Sequence, residues 1–127
     1  MQRWMAAAAM VAISAGLALA QDIAAGEKSF AKCRICHDVG PTAKHKVGPI
    51  LNGLDGRKAG SIAGYTYSPA NQASGIVWTQ EAFDTYITNP AKAVPNTKMA
   101  FIGISNATER ANLWAYLTQF NQDGSKK

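Results

Sequence analysis

The stretch 31–40, AKCRICHDVG, holds both cysteines of the chain, Cys33 and Cys36, with His37 directly after the second. Two thiols three positions apart can close a disulfide, act as a redox dithiol, share a metal ion, or anchor a prosthetic group. A Cys33 to Cys36 disulfide would close so short a loop that it would restrain little of the unfolded chain. A thioredoxin-type dithiol needs no adjacent histidine and is expected beside a βαβ pattern, and none is evident. Structural zinc wants four ligands, and only His45 or a carboxylate could complete a set begun by Cys33, Cys36 and His37. The remaining reading is C-x-x-C-H, the pattern of covalent c-type haem attachment. Its spacing has a physical reason: two thiols add across the two vinyl groups on one porphyrin edge, and the next residue then lies under the ring, where its imidazole reaches the iron.

Upstream, MQRWMAAAAMVAISAGLALAQD carries one early cation, Arg3, then a run of small and apolar residues from Met5 to Ala20. This has the form of a secretory leader, with Ala18-Leu19-Ala20 as the small-x-small cleavage pattern. The alternative, a retained anchor, is disfavoured by the shortness of the run and its richness in Ala. Cleavage after Ala20 would leave 21–127 as one small domain, whose own core can only be modest. The whole chain has 13 Lys and Arg, 8 Asp and Glu, and a formal net charge of +5; only Arg3 leaves with the leader, so the mature charge is +4. Such a charge suits acidic protein surfaces or an anionic membrane face. The basic residues are dispersed and no nucleic-acid-binding motif appears, so nucleic acid is not an expected partner.

Downstream, the pattern is helical and loop-rich. Asp22 can cap a helix running to about Lys32, with Ile23 and Phe30 on one face and Gly26 between them. From Asp38 to Tyr67, Gly40-Pro41, Gly48-Pro49, Asn52-Gly53, Asp55-Gly56, Gly60 and Gly64 read as a string of turns. A structureless stretch of that length sits poorly in a compact domain unless it wraps something. Ser68-Pro69 starts a short helix to about Ser74, and Thr79 caps another, carrying Phe83, Tyr86 and Ile87, that Asn89-Pro90 ends. Asn106 and Glu109 form a capping-box-like pair ahead of the stripe Leu113, Trp114, Leu117 and Phe120, which runs until Asp123-Gly124. The expected fold is all-α, with four to five helices and long loops wrapped round one bound group.

A second axial ligand for a haem iron would be Met99, His45, or no residue at all. Context favours Met99, the only methionine after the leader, in the polar loop Pro95-Asn96-Thr97-Lys98-Met99. His45, between Lys44 and Lys46, is expected to be a solvated surface residue. If Met99 does not bind iron, the open position would suit a haem enzyme of peroxidase type.

The stretches Gly26 to Phe30, CRICH, KVGPILNGLDGRKAG, GYTYSPAN, SGIVW, TNPAKAVPNTKMAF and LWAYL together resemble the small soluble class I cytochromes c, most closely the cytochrome c2 group of purple photosynthetic bacteria. The resemblance covers essentially all of 21–127. It implies a cytochrome c fold, one haem c linked through Cys33 and Cys36, and axial ligation by His37 and Met99. It also implies that the Pro49 carbonyl holds the other nitrogen of His37, that Trp78, Tyr67 and Arg57 hydrogen-bond or neutralise buried propionates, and that Tyr86, Asn71 and Thr97 form a polar network near the methionine sulfur. Two departures are visible: Asn96 where Gly is common, and Trp114 where a smaller aliphatic is common. The implied activity is one-electron carriage in the periplasm, by a monomer and not an enzyme, from a cytochrome bc1 complex to a photosynthetic reaction centre or terminal oxidase. Lys28, Lys32, Lys44, Lys46, Lys92 and Lys98 would border the exposed haem edge and steer the protein to acidic docking surfaces of those membrane complexes.

Overall fold

The computed structural model describes residues 21–127, so the expected leader, 1–20, lies outside the described residues. Among the described residues no helix is long and apolar enough to cross a membrane. Five helices follow in order: α1 (Ile23–Phe30), α2 (Pro69–Ala73), α3 (Gln80–Thr88), α4 (Pro90–Ala93) and α5 (Ala107–Leu117). Beyond two isolated bridges, Lys58 with Val77 and Phe120 with Lys126, the described residues form no strand. The fold is all-α, as the sequence leads one to expect.

Four of the expected caps form. The side chains of Asp22, Ser68, Thr79 and Asn106 accept from the backbone N–H groups of Ala25, Asn71, Ala82 and Glu109 respectively, satisfying amides that a helix start leaves without partners. The Asn106 box is only half made, because the Glu109 carboxylate turns to Ser29 on α1 and Lys32 in the turn that follows it, instead of back to its own cap. Asn89-Pro90 ends α3 but also starts α4, with the Asn89 side chain accepting from Lys92 N–H at 3.2 Å and Pro90 in the first turn, where a missing N–H costs nothing.

Three expectations need correction. α1 stops at Phe30, and 31–36 continue as turns. Ile23 is 45% exposed while Phe30 is fully buried, so the two do not share a buried face. α5 ends at Leu117, with Thr118 as its C-cap residue, whose N–H and hydroxyl both reach the Trp114 carbonyl at 2.9 Å. Phe120 is nonetheless buried, delivered by a turn that Asn121 and Ser125 close, not by the helix.

The frame of the fold is the crossing of α1 on α5. A Cβ at Gly26 would collide with the Asn112 carbonyl, so only glycine lets the two backbones approach this closely. Asp22 N–H donates to the Asn112 side chain at 2.8 Å, and Phe30 packs on Tyr116 with ring centroids 5.4 Å apart. These contacts fix the C-terminal end of α1, from which the cysteine segment leaves. α3 packs on the other side of α5, where Trp114 lies against Phe83 at 5.3 Å. The large residue at 114 is therefore accommodated as an aromatic pair.

Candidate functional site

The chain leaves α1 in two overlapping helical turns. Cys33 N–H and Arg34 N–H both donate to the Phe30 carbonyl, and His37 N–H donates to the Cys33 carbonyl at 2.8 Å. These turns set Cys33, Cys36 and His37 along one wall of a cavity of about 400 Å³. Both thiols are free. Burial pushes the Cys33 thiol up to about 11, the reverse of the lowered value that an attacking dithiol cysteine needs. Among the described residues no three His, Cys, Asp or Glu side chains gather round a common metal position, which leaves the zinc reading without a ligand set.

His37 is buried and doubly constrained. Its Nδ1–H donates to the Pro49 carbonyl at 2.8 Å, which leaves Nε2 as the nitrogen with a lone pair. Burial disfavours its protonated form, an effect that the Pro49 bond opposes and the nearby Arg57 charge reinforces. Gly48 lies flat against the ring: a Cβ there would come within 2.7 Å of Nδ1 and 2.8 Å of Nε2. Gly48 N–H in turn donates to the Cys36 carbonyl at 2.7 Å, so the turn that carries Pro49 is tied to the cysteine segment.

Met99 enters from the loop after α4. Tyr86 O–H donates to its sulfur at 3.3 Å, Thr97 Oγ1 lies 3.3 Å from the same phenol, and Met99 N–H donates to Thr97 Oγ1 at 3.3 Å. With the Thr97 hydroxyl donating to the phenol oxygen, every group in this ring of contacts has a role. Burial raises the Tyr86 phenol above its usual value, an effect that Thr97 partly offsets, so the donor stays protonated. The departure at Asn96 has a geometric explanation. Its φ is 66°, the left-handed region where glycine is at ease and Asn is the best tolerated substitute.

Arg57 reaches the cavity from the turn-rich stretch. One terminal nitrogen donates to the carbonyls of Ile50 and Asn52, at 2.9 and 3.0 Å, while buried Nε has no protein partner. The Asn71 side-chain oxygen is likewise buried without one. Tyr67 and Trp78 are both buried, Tyr67 accepting from Ile62 N–H at 3.2 Å and Trp78 packing edge-on to Tyr86 at 5.1 Å.

All eleven residues singled out from the sequence thus line the same cavity. The wall also includes residues that the sequence did not mark as part of a site, among them Leu51, Leu54, Tyr65, Ser68 and Phe101. The signal for Leu51, Leu54 and Tyr65 is that apolar residues recur inside a turn-rich stretch, where solvated loops would not need them; Ser68 reads only as a helix cap, and Phe101 follows Met99 by two positions.

His45 differs from expectation. It is half-buried, and both ring nitrogens are engaged: Nε2 with the Ala63 carbonyl at 3.0 Å, Nδ1 with Ile50 N–H at 3.1 Å. Neither is free to bind a metal. Of the six lysines, Lys32 and Lys98 stand at the cavity itself. Lys32 pairs with Glu109, Lys46 donates to the Arg34 carbonyl at 3.1 Å, and Lys98 donates to the Thr66 carbonyl at 3.0 Å while lying over the Tyr65 ring. Lys28, Lys44 and Lys92 are exposed. Another hollow, of about 390 Å³, lies between α3 and α5 beside the Arg110–Asp84 ion pair, and none of the eleven candidate haem-site residues lines it.

No family model matches the chain. Over 107 residues it is 58% identical to a cytochrome c2 of Rhodoplanes tepidamans, a match that covers 84% of this chain and 100% of that protein. Over 106 residues it is 55% identical to a cytochrome c-550 of Nitrobacter winogradskyi, covering 84% and 97%. The solved structure of cytochrome cH from Methylobacterium extorquens matches it with a TM-score of 0.73 and 43% identity, over 77% of this chain and 98% of that one. Near-complete coverage of such relatives, together with the fold and the cavity described above, shows that the chain belongs to the class I c-type cytochromes, in the cytochrome c2 group, which are haem-bearing electron carriers rather than enzymes.

Proposed function

We propose that residues 21–127 form a monomeric one-electron carrier of the periplasm, released from its leader by cleavage after Ala20, with one haem attached through Cys33 and Cys36 and its iron held by His37 and Met99. The observation that carries this reading is that His37 and Met99, far apart in sequence, both enter the wall of one largely apolar cavity and each is oriented by a dedicated partner. The donor set suits the group: two free thiols, a neutral imidazole and a thioether. The orphaned Arg57 Nε supports it as well, since a buried guanidinium nitrogen without an acceptor fits a carboxylate of the size and charge of a propionate.

The haem supplies a reversible one-electron couple, Fe(III)/Fe(II). If His37 and Met99 both hold the iron, no coordination site would be left for a substrate, which would favour electron transfer over peroxidase-type chemistry. His37 contributes a nitrogen whose basicity is raised by the bond that its other nitrogen makes to Pro49. Met99 contributes a soft sulfur whose electron density is drawn off by the Tyr86 hydroxyl, and this favours the reduced state. Leu51, Leu54, Ile87 and Phe101 keep water out and favour the less charged, ferrous state. Exposed lysines round the cavity steer the protein to acidic docking surfaces on its donor, a cytochrome bc1 complex, and its acceptor, a photosynthetic reaction centre or terminal oxidase.

A visible spectrum and a single substitution test the reading. Reduced-haem bands that survive acid-acetone extraction are expected, together with the weak far-red band of a ferric iron–sulfur bond. Met99→Ala should abolish that band and shift the potential; an unchanged band and potential would refute Met99 as a ligand.

A further inference from the structure

The Pro49–Ile50 peptide unit is bonded to a histidine ring at each end. Its carbonyl accepts from Nδ1–H of His37 at 2.8 Å, and its N–H donates to Nδ1 of His45 at 3.1 Å. In a trans peptide the C=O and N–H point in opposite directions, so the two imidazoles lie on opposite edges of one conjugated plane. The Ala63 carbonyl, 3.0 Å from His45 Nε2, can only accept, so Nε2 carries the ring proton and Nδ1 keeps its lone pair for the Ile50 amide. The partners therefore fix the His45 tautomer. The next carbonyl along, that of Ile50, is held by Arg57 at 2.9 Å, which restrains the peptide plane.

We propose that His45 is a positioning residue for His37, acting through the Pro49–Ile50 peptide as a hydrogen-bond relay that strengthens the ligand. An amide whose N–H donates to a good acceptor carries more negative charge on its carbonyl oxygen, because hydrogen bonds in a chain polarise one another. The Pro49 oxygen then draws harder on the His37 proton, and His37 Nε2 becomes the better donor. A stronger imidazole donor favours ferric over ferrous iron, so the relay holds the reduction potential below the value it would have without His45. This inference rests on the reading of His37 as the axial ligand.

The competing explanation is that His45 only ties two loops together. The two ring nitrogens separate these roles, because the Nε2 bond joins the 40s loop to Ala63 whereas the Nδ1 bond is local to the turn. In His45→Gln the side-chain amide reaches the Nε2 position and keeps the Ala63 bond while leaving Ile50 N–H unpaired. In His45→Asn the side-chain oxygen takes the Nδ1 position and keeps the Ile50 bond while losing Ala63.

The relay predicts that His45→Gln raises the potential, with the Fe(III)/Fe(II) equilibrium constant moved roughly threefold, about 28 mV for one electron. The shift is small because His45 acts at one remove, whereas losing a direct partner of a metal-bound histidine typically costs about tenfold or more in metal affinity or activity. His45→Asn should move it by less than half as much. Equal shifts in the two variants, a larger shift in His45→Asn, or no shift in either would overturn the relay. Nitrogen chemical shifts of the wild-type ferrous protein give a check that needs no variant. They should show His45 protonated at Nε2, and a proton on Nδ1 would overturn the relay outright. The far-red iron–sulfur band and extraction-resistant haem bands should persist in both variants, so that a contrary pattern of potentials falls on the relay alone. Their absence from the wild type would instead refute the axial assignment and the relay with it.

Discussion

Gly26→Ala sets two opposed effects of known size against each other. Ala is favoured over Gly inside a helix by about 1 kcal/mol, so on propensity alone the substitution should stabilise α1. The structure predicts the opposite sign. A Cβ at 26 would collide with the Asn112 carbonyl oxygen and lie 2.7 Å from its carbon and 2.9 Å from Tyr116 Cβ. Two of these three atoms are backbone, so no rotamer change relieves the contact, and α1 has to move away from α5. That movement opposes the Asp22 bond to Asn112 and the Phe30–Tyr116 packing at the two ends of the same helix. Overpacking of this kind costs about 1–3 kcal/mol and sometimes more, and against unyielding backbone the upper part of that range applies. Net of propensity, the loss should be about 2 kcal/mol.

Guanidinium denaturation of the holoprotein measures it. With a slope of roughly 4 kcal/mol/M, within the span expected of small domains in this denaturant, the midpoint should fall by about 0.5 M. Ala24→Gly, at an exposed position of the same helix, is the control and should cost about 1 kcal/mol through propensity alone. A Gly26→Ala protein as stable as the wild type, or more so, would refute the claim that this glycine exists to let two backbones meet.

Three further outcomes follow from individual contacts. Tyr86→Phe removes the hydroxyl that donates to the Met99 sulfur, so the thioether becomes a better donor, ferric iron is favoured and the potential should fall. The denaturation midpoint should change only by the equivalent of about 0.5–1.5 kcal/mol, because Thr97 Oγ1 keeps Met99 N–H as a partner; a raised potential would contradict the geometry. Glu109 is held below the ordinary glutamate value of 4.5, first by its hydrogen bond from Lys32, against a smaller opposing effect of burial. Its contribution is therefore present above pH 4.5 and lost as pH falls through the lowered folded value, so Glu109→Gln should flatten the acid limb of stability against pH, and an unchanged limb would count against this contact. Electron-transfer rates with membrane-bound partners should fall as ionic strength rises; indifference to salt would remove lysine steering.

The legible parts of this protein are those in which the chemistry is written into neighbouring positions. Cys33, Cys36 and His37 form a site within five residues, and Asp22, Ser68, Thr79 and Asn106 each cap the helix they precede. Some of what escaped sequence reading is local, where the chain turns after a helix or one residue serves two elements, and the rest depends on partners distant in sequence. Phe120 is buried by a terminal turn that Ser125 closes, and α4 exists because Asn89 caps forward as well as ending α3. Glu109 looks like half of a capping box but is drawn across to α1. His45, flanked by two lysines, has the local composition of a solvated loop, and its two engagements appear only once Ala63 and the Pro49 turn are brought beside it.

The cavity wall and the hydrophobic core are largely one surface. Phe83, Ile87, Leu113 and Leu117 belong to the buried core cluster and also line the cavity, as do Trp78 and Tyr86. A domain this small has little apolar interior to spare, so a flat apolar group seated among these residues would complete the packing as well as carry the electron. Trimming an aliphatic side chain there should therefore disturb stability and potential together, since the same atoms exclude water from iron and hold the helices. The polar groups divide differently. Tyr86 O–H and the Pro49–Ile50 peptide touch the proposed ligands while contributing little burial, and these are the positions where the potential can be adjusted without loosening the fold.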